Sequence, residues 1–237
     1  MTTVLARLPE TGDPDLLFLL FHGVGANAGH MAVLAQRLAQ EYPQAAVLCI
    51  DAPDDFDAAP GGGGKQWFSI QGITDHNRPQ RVADTLPRFV ATVRALQLRF
   101  GIDWPRTALF GFSQGAIMAL EAAQAESELA GRVLAFSGRY AMLPDHAPRD
   151  TCVHLLHGLD DTVMPYAASV EAARHLVTLG ADVTADVLPG IGHELDPRLI
   201  ERAIDQLRTF LPARTWRAAY EGAPVQSAAA SSKDLER

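Results

Sequence analysis

The sequence is poor in cysteine and has no long apolar run. Its 237 residues include two cysteines. Cys49 and Cys152 each lie inside a short apolar stretch, a position that favours two buried thiols on strands over a disulfide or a metal pair. The stretch 16–21 (LLFLLF) is far shorter than the roughly 20 residues that cross a bilayer. The N-terminus also lacks the basic and apolar segments of a secretory signal, so we expect a cytoplasmic protein.

Basic residues are outnumbered in this chain. It has 20 Lys and Arg against 28 Asp and Glu, a formal net charge of −8. An acidic chain repels phosphate backbones and anionic lipid surfaces. We therefore predict no nucleic-acid partner and no stable membrane association. With 48% hydrophobic residues, the composition is that of a globular protein with a sizeable buried core.

Short apolar runs alternate along the chain with longer amphipathic ones. The apolar runs predict strands at 16–21, 46–51, 106–111, 132–136, 151–156 and 183–188. The amphipathic runs predict helices at about 28–40, 79–100, 114–126, 166–179 and 197–210. Asn27 is a candidate N-cap for the first helix, and Pro87 predicts a kink or break in the second. This alternation predicts an α/β fold with a mostly parallel sheet and helices on both faces, in one domain spanning residues 1–212.

Two segments do not fit this alternation. Residues 52–66 (APDDFDAAPGGGGKQ) contain four consecutive glycines and predict a long mobile loop, of a kind that is functional or disordered. Residues 213–237 are small and polar toward their end, and we expect a flexible, dispensable tail.

A G-x-S-x-G pentapeptide, Gly111-Phe112-Ser113-Gln114-Gly115, carries the strongest chemical signal. A short apolar strand leads into it and an Ala- and Leu-rich helix leads out. This context resembles the strand–elbow–helix on which α/β-hydrolases hold their nucleophilic serine. The glycines suit a turn too tight for side chains on either side of the serine. The alternative is a glycine-flanked serine that caps a helix and has no chemistry, and the context favours Ser113 as a nucleophile.

A serine hydroxyl needs a hydrogen-bonded base at neutral pH. His154 lies within a predicted strand and His175 within a predicted helix, so neither is placed to reach the carboxyl edge of the sheet. His193 lies in the glycine-punctuated loop PGIGHEL between the last predicted strand and the last helix. In an α/β-hydrolase the base follows the acid in the chain and occupies such a loop. We predict His193 as the base.

The acid is expected just beyond the strand that ends near residue 156. A carboxylate there can accept a hydrogen bond from the base and fix its tautomer. Asp160 and Asp161 both qualify by position. The spacing to Val163 and Pro165 favours Asp161, with Asp160 as the rival.

The turn after strand 16–21 reads His22-Gly23-Val24-Gly25. An α/β-hydrolase takes one oxyanion N–H from this loop and the other from the residue after the nucleophile. We therefore predict Val24 and Gln114 as the two donors. His22 is more readily explained as a structural residue that fixes the loop by a hydrogen bond. No second histidine or cysteine lies at ligand spacing from it, so we expect no metal site and no cofactor.

Taken together, these motifs resemble the carboxylesterase/phospholipase family that includes acyl-protein thioesterases, and in particular its bacterial esterase branch. The matching stretches are FHGVG at 21–25, QWFS at 66–69, GFSQG at 111–115, HGLDDTVMP at 157–165 and GIGH at 190–193. The resemblance covers roughly residues 15–212. It implies the α/β-hydrolase fold, a triad of Ser113, Asp161 and His193, and the same two oxyanion donors.

The chain departs from the family at Ser69, where relatives usually have aspartate after Trp-Phe. In relatives this loop approaches the acyl site, so Trp67 and Phe68 are candidate substrate contacts. The alternative is that both residues anchor the glycine-rich loop by hydrophobic packing. The sequence leaves the two interpretations open.

Only a short segment separates strand 132–136 from strand 151–156, so no cap domain fits there. We expect an open cleft walled by residues 52–78 and by Met164 and Leu195. Such a cleft favours hydrolysis of short- to medium-chain carboxylic esters through an acyl-enzyme. The alternatives are acyl-thioesterase or lysophospholipase activity in the same site, or a catalytically silent binding module. The substrate is expected to be a small-molecule ester or thioester, and the protein a monomer or homodimer.

Overall fold

The computed structural model describes residues 4–58, 61, 63–213 and 215. Apart from residues 213 and 215, the predicted C-terminal tail lies outside the described residues. Within them the strands are β1 (Val4–Arg7), β2 (Leu16–Phe21), β3 (Ala45–Ile50), β4 (Asp54–Asp55), β5 (Lys65–Gln66), β6 (Thr107–Phe112), β7 (Arg132–Phe136), β8 (Cys152–Gly158) and β9 (Val183–Leu188). The α-helices are α1 (Ala32–Glu41), α2 (Arg78–Phe100), α3 (Gln114–Ala125), α4 (Ala167–Thr178) and α5 (Pro197–Thr209).

Seven strands form the central sheet in the order β1-β3-β2-β6-β7-β8-β9. Neighbouring strands run parallel except β1, which pairs antiparallel with β3 at one edge. Parallel strands bring their carboxyl ends to the same edge. The turns after β2, β6, β8 and β9 therefore meet there, and these turns carry the predicted catalytic residues and oxyanion donors.

Helices cover both faces of the sheet because successive side chains of a strand point to opposite sides. In β2, Leu17, Leu19 and Phe21 belong to the core under α2, α3 and α4. Phe18 and Leu20 belong to the core under α1 and α5. The predicted mostly parallel sheet with helices on both faces is confirmed.

The predicted strands and helices are all present, with small shifts at their ends. The first predicted helix is divided into a 3-10 turn, Ala28–Met31, and α1. Asn27 caps the 3-10 turn, its side chain accepting from the Gly29 N–H at 2.9 Å. The two cysteines are buried on β3 and β8, as expected.

Of the kink or break predicted at Pro87, the break is wrong, because α2 runs through this residue without interruption. A proline removes one helical N–H and leaves a carbonyl one turn earlier, that of Ala83, without its usual donor. Ala83 and Pro87 both lie on the exposed side of the helix. Water can therefore satisfy that carbonyl, while Val82, Phe89 and Val93 hold the helix to the core.

The sequence analysis missed three strands. Leu5, Ala6 and Arg7 of β1 are exposed, and the strand is too short to form a clear apolar run, so the pattern gives no signal for this edge strand. β4 and β5 pair within the glycine-rich segment, with Asp54 opposite Gln66 and Asp55 opposite Lys65. The part of this loop that the structure describes therefore contains a short hairpin.

The segment between β7 and β8 is short. Residues 137–151 are all described and contain no helix or strand, so no cap domain covers the sheet at this point. No helix in the described part of the chain is both long and apolar enough to cross a membrane.

Candidate active site

Ser113 lies at a tight turn between β6 and α3. Its φ is 53° and its ψ −114°, a backbone conformation that non-glycine residues rarely adopt. The Ser113 N–H donates to the Phe136 carbonyl at 2.9 Å, which fixes the turn against β7. A Cβ at position 111 would overlap the backbone of Ala116, and one at position 115 would overlap the carbonyl of Phe21. Both glycines of the pentapeptide are therefore required by close backbone approach.

His193 joins Ser113 to Asp161 by two hydrogen bonds. Its Nε2 lies 3.0 Å from Ser113 Oγ, and its Nδ1 lies 2.7 Å from Asp161 Oδ2. The aspartate side chain is fully buried and the imidazole is about one-sixth exposed, at 17%. The His193 ring packs against Phe112, with ring centroids 4.9 Å apart. The structure thus brings the three predicted residues together in the order that proton transfer from a serine requires.

Asp161 is held by the turn that follows it. Its Oδ1 accepts the N–H groups of Val163 at 2.9 Å and Met164 at 2.8 Å. Burial raises the pKa of this carboxyl, but the hydrogen bonds from Met164, His193 and Val163 outweigh burial, so its pKa lies below the ordinary value. Asp160 points elsewhere, its Oδ2 accepting the Gly190 N–H at 2.9 Å. Of the two neighbouring aspartates, Asp161 contacts His193.

The turn after β2 packs against the serine. A Cβ built at Gly23 would lie 3.2 Å from Ser113 Cβ, so this loop and the elbow are in contact. Val24 follows Gly23 directly, and Gln114 is the first residue of α3. N–H groups in the first turn of a helix have no acceptor within the helix and are available to a ligand. Val24 and Gln114 are thus placed on the two backbone segments that flank Ser113.

His22 holds the turn after β2 in place by two hydrogen bonds. Its Nδ1 donates to the Gly23 carbonyl at 2.6 Å and its Nε2 accepts the Ala52 N–H at 2.9 Å. Burial lowers the pKa of His22, an effect that the Gly23 carbonyl partly opposes. The neutral imidazole is the form that can both donate and accept. His22 is thus a structural residue of the loop.

Trp67 and Phe68 are both buried, with 3% and 5% of their surface exposed. The Trp67 indole N–H donates to the His22 carbonyl at 2.8 Å. Its ring packs edge-on against Phe21 and Phe89. These contacts are those of an anchor for the loop, and a direct contact with substrate stays a prediction. Met164 and Leu195 are partly buried, Met164 against the core under α2–α4 and Leu195 against the core under α1 and α5.

Two side chains at this site have roles that the sequence analysis did not foresee. The Gln114 Oε1 accepts the Trp67 N–H at 2.8 Å and its Nε2 donates to the Phe68 carbonyl at 2.7 Å. His157 lies behind Asp161, with its Nε2 3.3 Å from Asp161 Oδ2. The glutamine follows the serine within the pentapeptide, and the histidine precedes the glycine of the HGLDD stretch. The only sequence signal for these two roles was a hydrogen-bonding side chain next to the predicted nucleophile and near the predicted acid.

Metal-ligating side chains do not cluster at this site. In residues 4–58, 61, 63–213 and 215, no three His, Cys, Asp or Glu side chains lie close enough together to hold a metal ion.

Comparison with known proteins agrees with this geometry. The profile of the family described as Phospholipase/Carboxylesterase matches residues 10–211. Esterase YpfH of Escherichia coli is 44% identical over 208 residues, covering 87% of this chain and 88% of the relative. An acyl-protein thioesterase 1 of Eremothecium gossypii is 25% identical over 213 residues, covering 83% of this chain and 88% of the relative.

Solved structures show the same fold. The crystal structure of esterase PE8 superposes with a TM-score of 0.80 at 26% identity, over 89% of this chain and 99% of that one. A Bacillus cereus carboxylesterase superposes with a TM-score of 0.72 at 18% identity, over 89% of this chain and 95% of that one. The sheet, the elbow and these matches lead to one conclusion: the chain has the α/β-hydrolase fold and belongs to the phospholipase/carboxylesterase family, an enzyme that hydrolyses esters.

Proposed function

We propose that this enzyme hydrolyses short- to medium-chain carboxylic esters through an acyl-enzyme formed on Ser113. The observation that carries the proposal is the pair of contacts made by His193, 3.0 Å to Ser113 Oγ and 2.7 Å to Asp161 Oδ2. These distances suit a base that takes the serine proton and an acid that orients the base.

In the acylation step, Ser113 Oγ bonds to the acyl carbon as its proton passes to His193 Nε2. The carbonyl electron pair moves onto the oxygen, which accepts the N–H groups of Val24 and Gln114. Asp161 keeps its hydrogen bond to His193 Nδ1 and stabilises the imidazolium. When the tetrahedral intermediate collapses, the C–O bond to the alcohol breaks and the alkoxide takes the proton from Nε2. Water then repeats the sequence on the acyl-enzyme and frees the carboxylic acid.

The absence of a cap supports the substrate range. Residues 137–151 form a short connection between β7 and β8, where many hydrolases of this fold carry an inserted helical domain. A site open on this side suits small or flexible acyl groups better than a substrate that must be enclosed. The same machinery serves thioesters, and the resemblance to an acyl-protein thioesterase 1 makes acyl thioesters the second candidate substrate.

Labelling with a fluorophosphonate probe tests the nucleophile. We expect the probe to label the wild-type enzyme at Ser113 and the Ser113→Ala variant not at all, with a loss of at least about 10³ in kcat. Ser137→Ala is the matched control. Ser137 follows the neighbouring strand β7 and is fully buried, and its Oγ has no hydrogen-bond partner among the residues that the structure describes. An unlabelled folded wild-type enzyme, or a label that survives in Ser113→Ala, would refute the proposal.

Matched substrates separate the two leaving groups. Turnover of p-nitrophenyl esters from acetyl to decanoyl is compared with that of acyl thioesters of the same chain lengths. We expect the ester to have the higher kcat/KM at each length up to the medium range. Faster turnover of the thioester at every length would reverse the order of the two candidates.

A further inference from the structure

We propose that His157 is a positioning residue for Asp161: its Nε2–H holds the carboxylate and the turn after it in the orientation that His193 needs. This inference rests on the proposed triad. His157 does not contact the reacting atoms, so its effect would pass through Asp161.

The contacts of His157 are all inside the protein. Its side chain is fully buried, as is that of Asp161. Its Nε2 lies 2.7 Å from the Met164 carbonyl and 3.3 Å from Asp161 Oδ2. Its Nδ1 lies 2.8 Å from Ser169 Oγ, and that hydroxyl also lies 3.2 Å from the Gly138 carbonyl. Each ring nitrogen therefore has a short polar contact in the absence of solvent.

The partners determine where the imidazole hydrogen is. A carbonyl oxygen can only accept, so the 2.7 Å contact with Met164 requires the hydrogen on Nε2. The same nitrogen lies 3.3 Å from Asp161 Oδ2, so its N–H also interacts with that carboxylate. In the neutral ring Nδ1 is then an acceptor, and the one hydrogen of Ser169 Oγ lies between Nδ1, at 2.8 Å, and the Gly138 carbonyl, at 3.2 Å. Burial lowers the pKa of His157, against the opposing effect of the Met164 carbonyl and Asp161. The ring is therefore neutral at pH 7 and above.

This arrangement completes the hydrogen bonding of Asp161. Backbone N–H groups of Val163 and Met164 occupy Oδ1, and His193 and His157 lie on Oδ2. By binding the Met164 carbonyl, His157 also fastens the end of the turn whose N–H groups hold Oδ1. One N–H thus restrains both oxygens of the carboxylate, one directly and one through the turn.

Two amide variants separate the two ends of the ring. In His157→Gln the side-chain amide reaches the position of Nε2 and can donate to Met164 and Asp161. In His157→Asn the amide is shorter, reaches the position of Nδ1, and keeps only the contact with Ser169. We expect the Asn variant to lose about 10- to 100-fold in kcat with KM changed less than about threefold, the range expected for one hydrogen bond to a charged group. The Gln variant should retain kcat within about fivefold of wild type.

Equal losses in the two variants, or full activity in His157→Asn, would overturn the proposal. Thermal unfolding and fluorophosphonate titration of active sites are measured on both variants, so that kcat refers to folded enzyme. Failure of the probe to label wild-type enzyme would instead refute the proposed function and leave these variants without a triad to report on.

A measurement on the wild-type enzyme covers the case in which a variant does not fold. With ¹⁵N-labelled histidine, the ring nitrogen shifts identify the tautomer of each imidazole. We expect His157 to be neutral with its hydrogen on Nε2 between pH 7 and 8. A hydrogen on Nδ1 would remove the donor to Asp161 and overturn the proposal.

Discussion

Replacing Asp161 by asparagine tests the triad through the polarity of its hydrogen bonds. In the wild-type structure Oδ1 accepts the N–H groups of Val163 and Met164. An asparagine therefore places its oxygen there, because the two backbone N–H groups can only donate, whereas an imidazole at the Oδ2 position can change tautomer. Its NH₂ group then takes the place of Oδ2 and faces His193 Nδ1.

The imidazole must respond by changing tautomer. To accept from the new NH₂ group, His193 keeps Nδ1 free of hydrogen and carries its hydrogen on Nε2. That hydrogen then points at Ser113 Oγ across the 3.0 Å contact, so the ring can no longer take the serine proton. A triad inverted in this way loses about 10³–10⁴ in kcat. KM should change little, because no substrate contact is altered.

The assay is steady-state hydrolysis of p-nitrophenyl butyrate by Asp161→Asn beside Asp160→Asn. The control removes the same charge one residue earlier, where the carboxylate accepts a single N–H from Gly190. We expect Asp160→Asn to stay within about threefold of wild type, as is usual for a change at an exposed residue away from the reacting atoms. A loss below tenfold in Asp161→Asn, or equal losses in both, would refute the reasoning.

Three further changes test the scaffold. The His154→Gln variant should be less stable than wild type at neutral pH. As the pH falls below 6.5, the difference between their free energies of unfolding should shrink by about 1.4 kcal/mol per pH unit. Burial, together with the charge of Arg132, lowers the pKa of His154 to about 3. Below pH 6.5 the unfolded wild-type chain therefore binds a proton that the folded protein does not bind, and the wild-type protein loses stability as the pH falls. Urea unfolding of both proteins at pH 7.5 and 5 measures this, and an equal stability difference at the two pH values would contradict it. Gly115→Ala should abolish activity, because the new Cβ would overlap the Phe21 carbonyl. Gly192→Ala, whose Cβ would have open space around it, should leave the protein folded and active. Equal activities of the two variants would rule out the steric argument. Trp67→Phe leaves the buried His22 carbonyl without its indole N–H donor, which should lower the free energy of unfolding by about 1–3 kcal/mol and leave KM unchanged. A raised KM with wild-type stability would instead favour a contact between Trp67 and the substrate.

The central elements of the fold could be predicted because their signals are local. A parallel strand covered on both faces is a continuous apolar run, and each such run of the chain is a strand of the sheet. β1 gave no such signal: Leu5, Ala6 and Arg7 are exposed, and this short segment becomes a strand by pairing with β3. Pro87 predicted a break because proline interrupts a helix, yet which side of the helix faces water depends on tertiary packing.

Placement of the site followed from the same logic, up to a limit. Gly111 and Gly115 marked the elbow because their backbone approaches leave no room for a side chain. The sequence could not separate Asp160 from Asp161 on physical grounds, since adjacent residues differ in where they point and that is set by the turn to Met164. It also could not show that His157 and Asp161, four residues apart, meet across this turn.

Gln114 has a consequence for anyone who wishes to alter this enzyme by directed evolution. Its main chain lies beside Ser113, while its side-chain amide binds the backbone of Trp67 and Phe68, 47 and 46 residues away in the chain. A library that randomises position 114 therefore changes the support of the 67–68 loop and the residue beside the nucleophile at the same time. Selection for activity cannot distinguish these two effects. Libraries at positions 67 and 68 keep both hydrogen bonds to the Gln114 amide whatever side chains they introduce, because the partners are main-chain atoms. Only proline at position 67 would remove one of them, since it has no N–H.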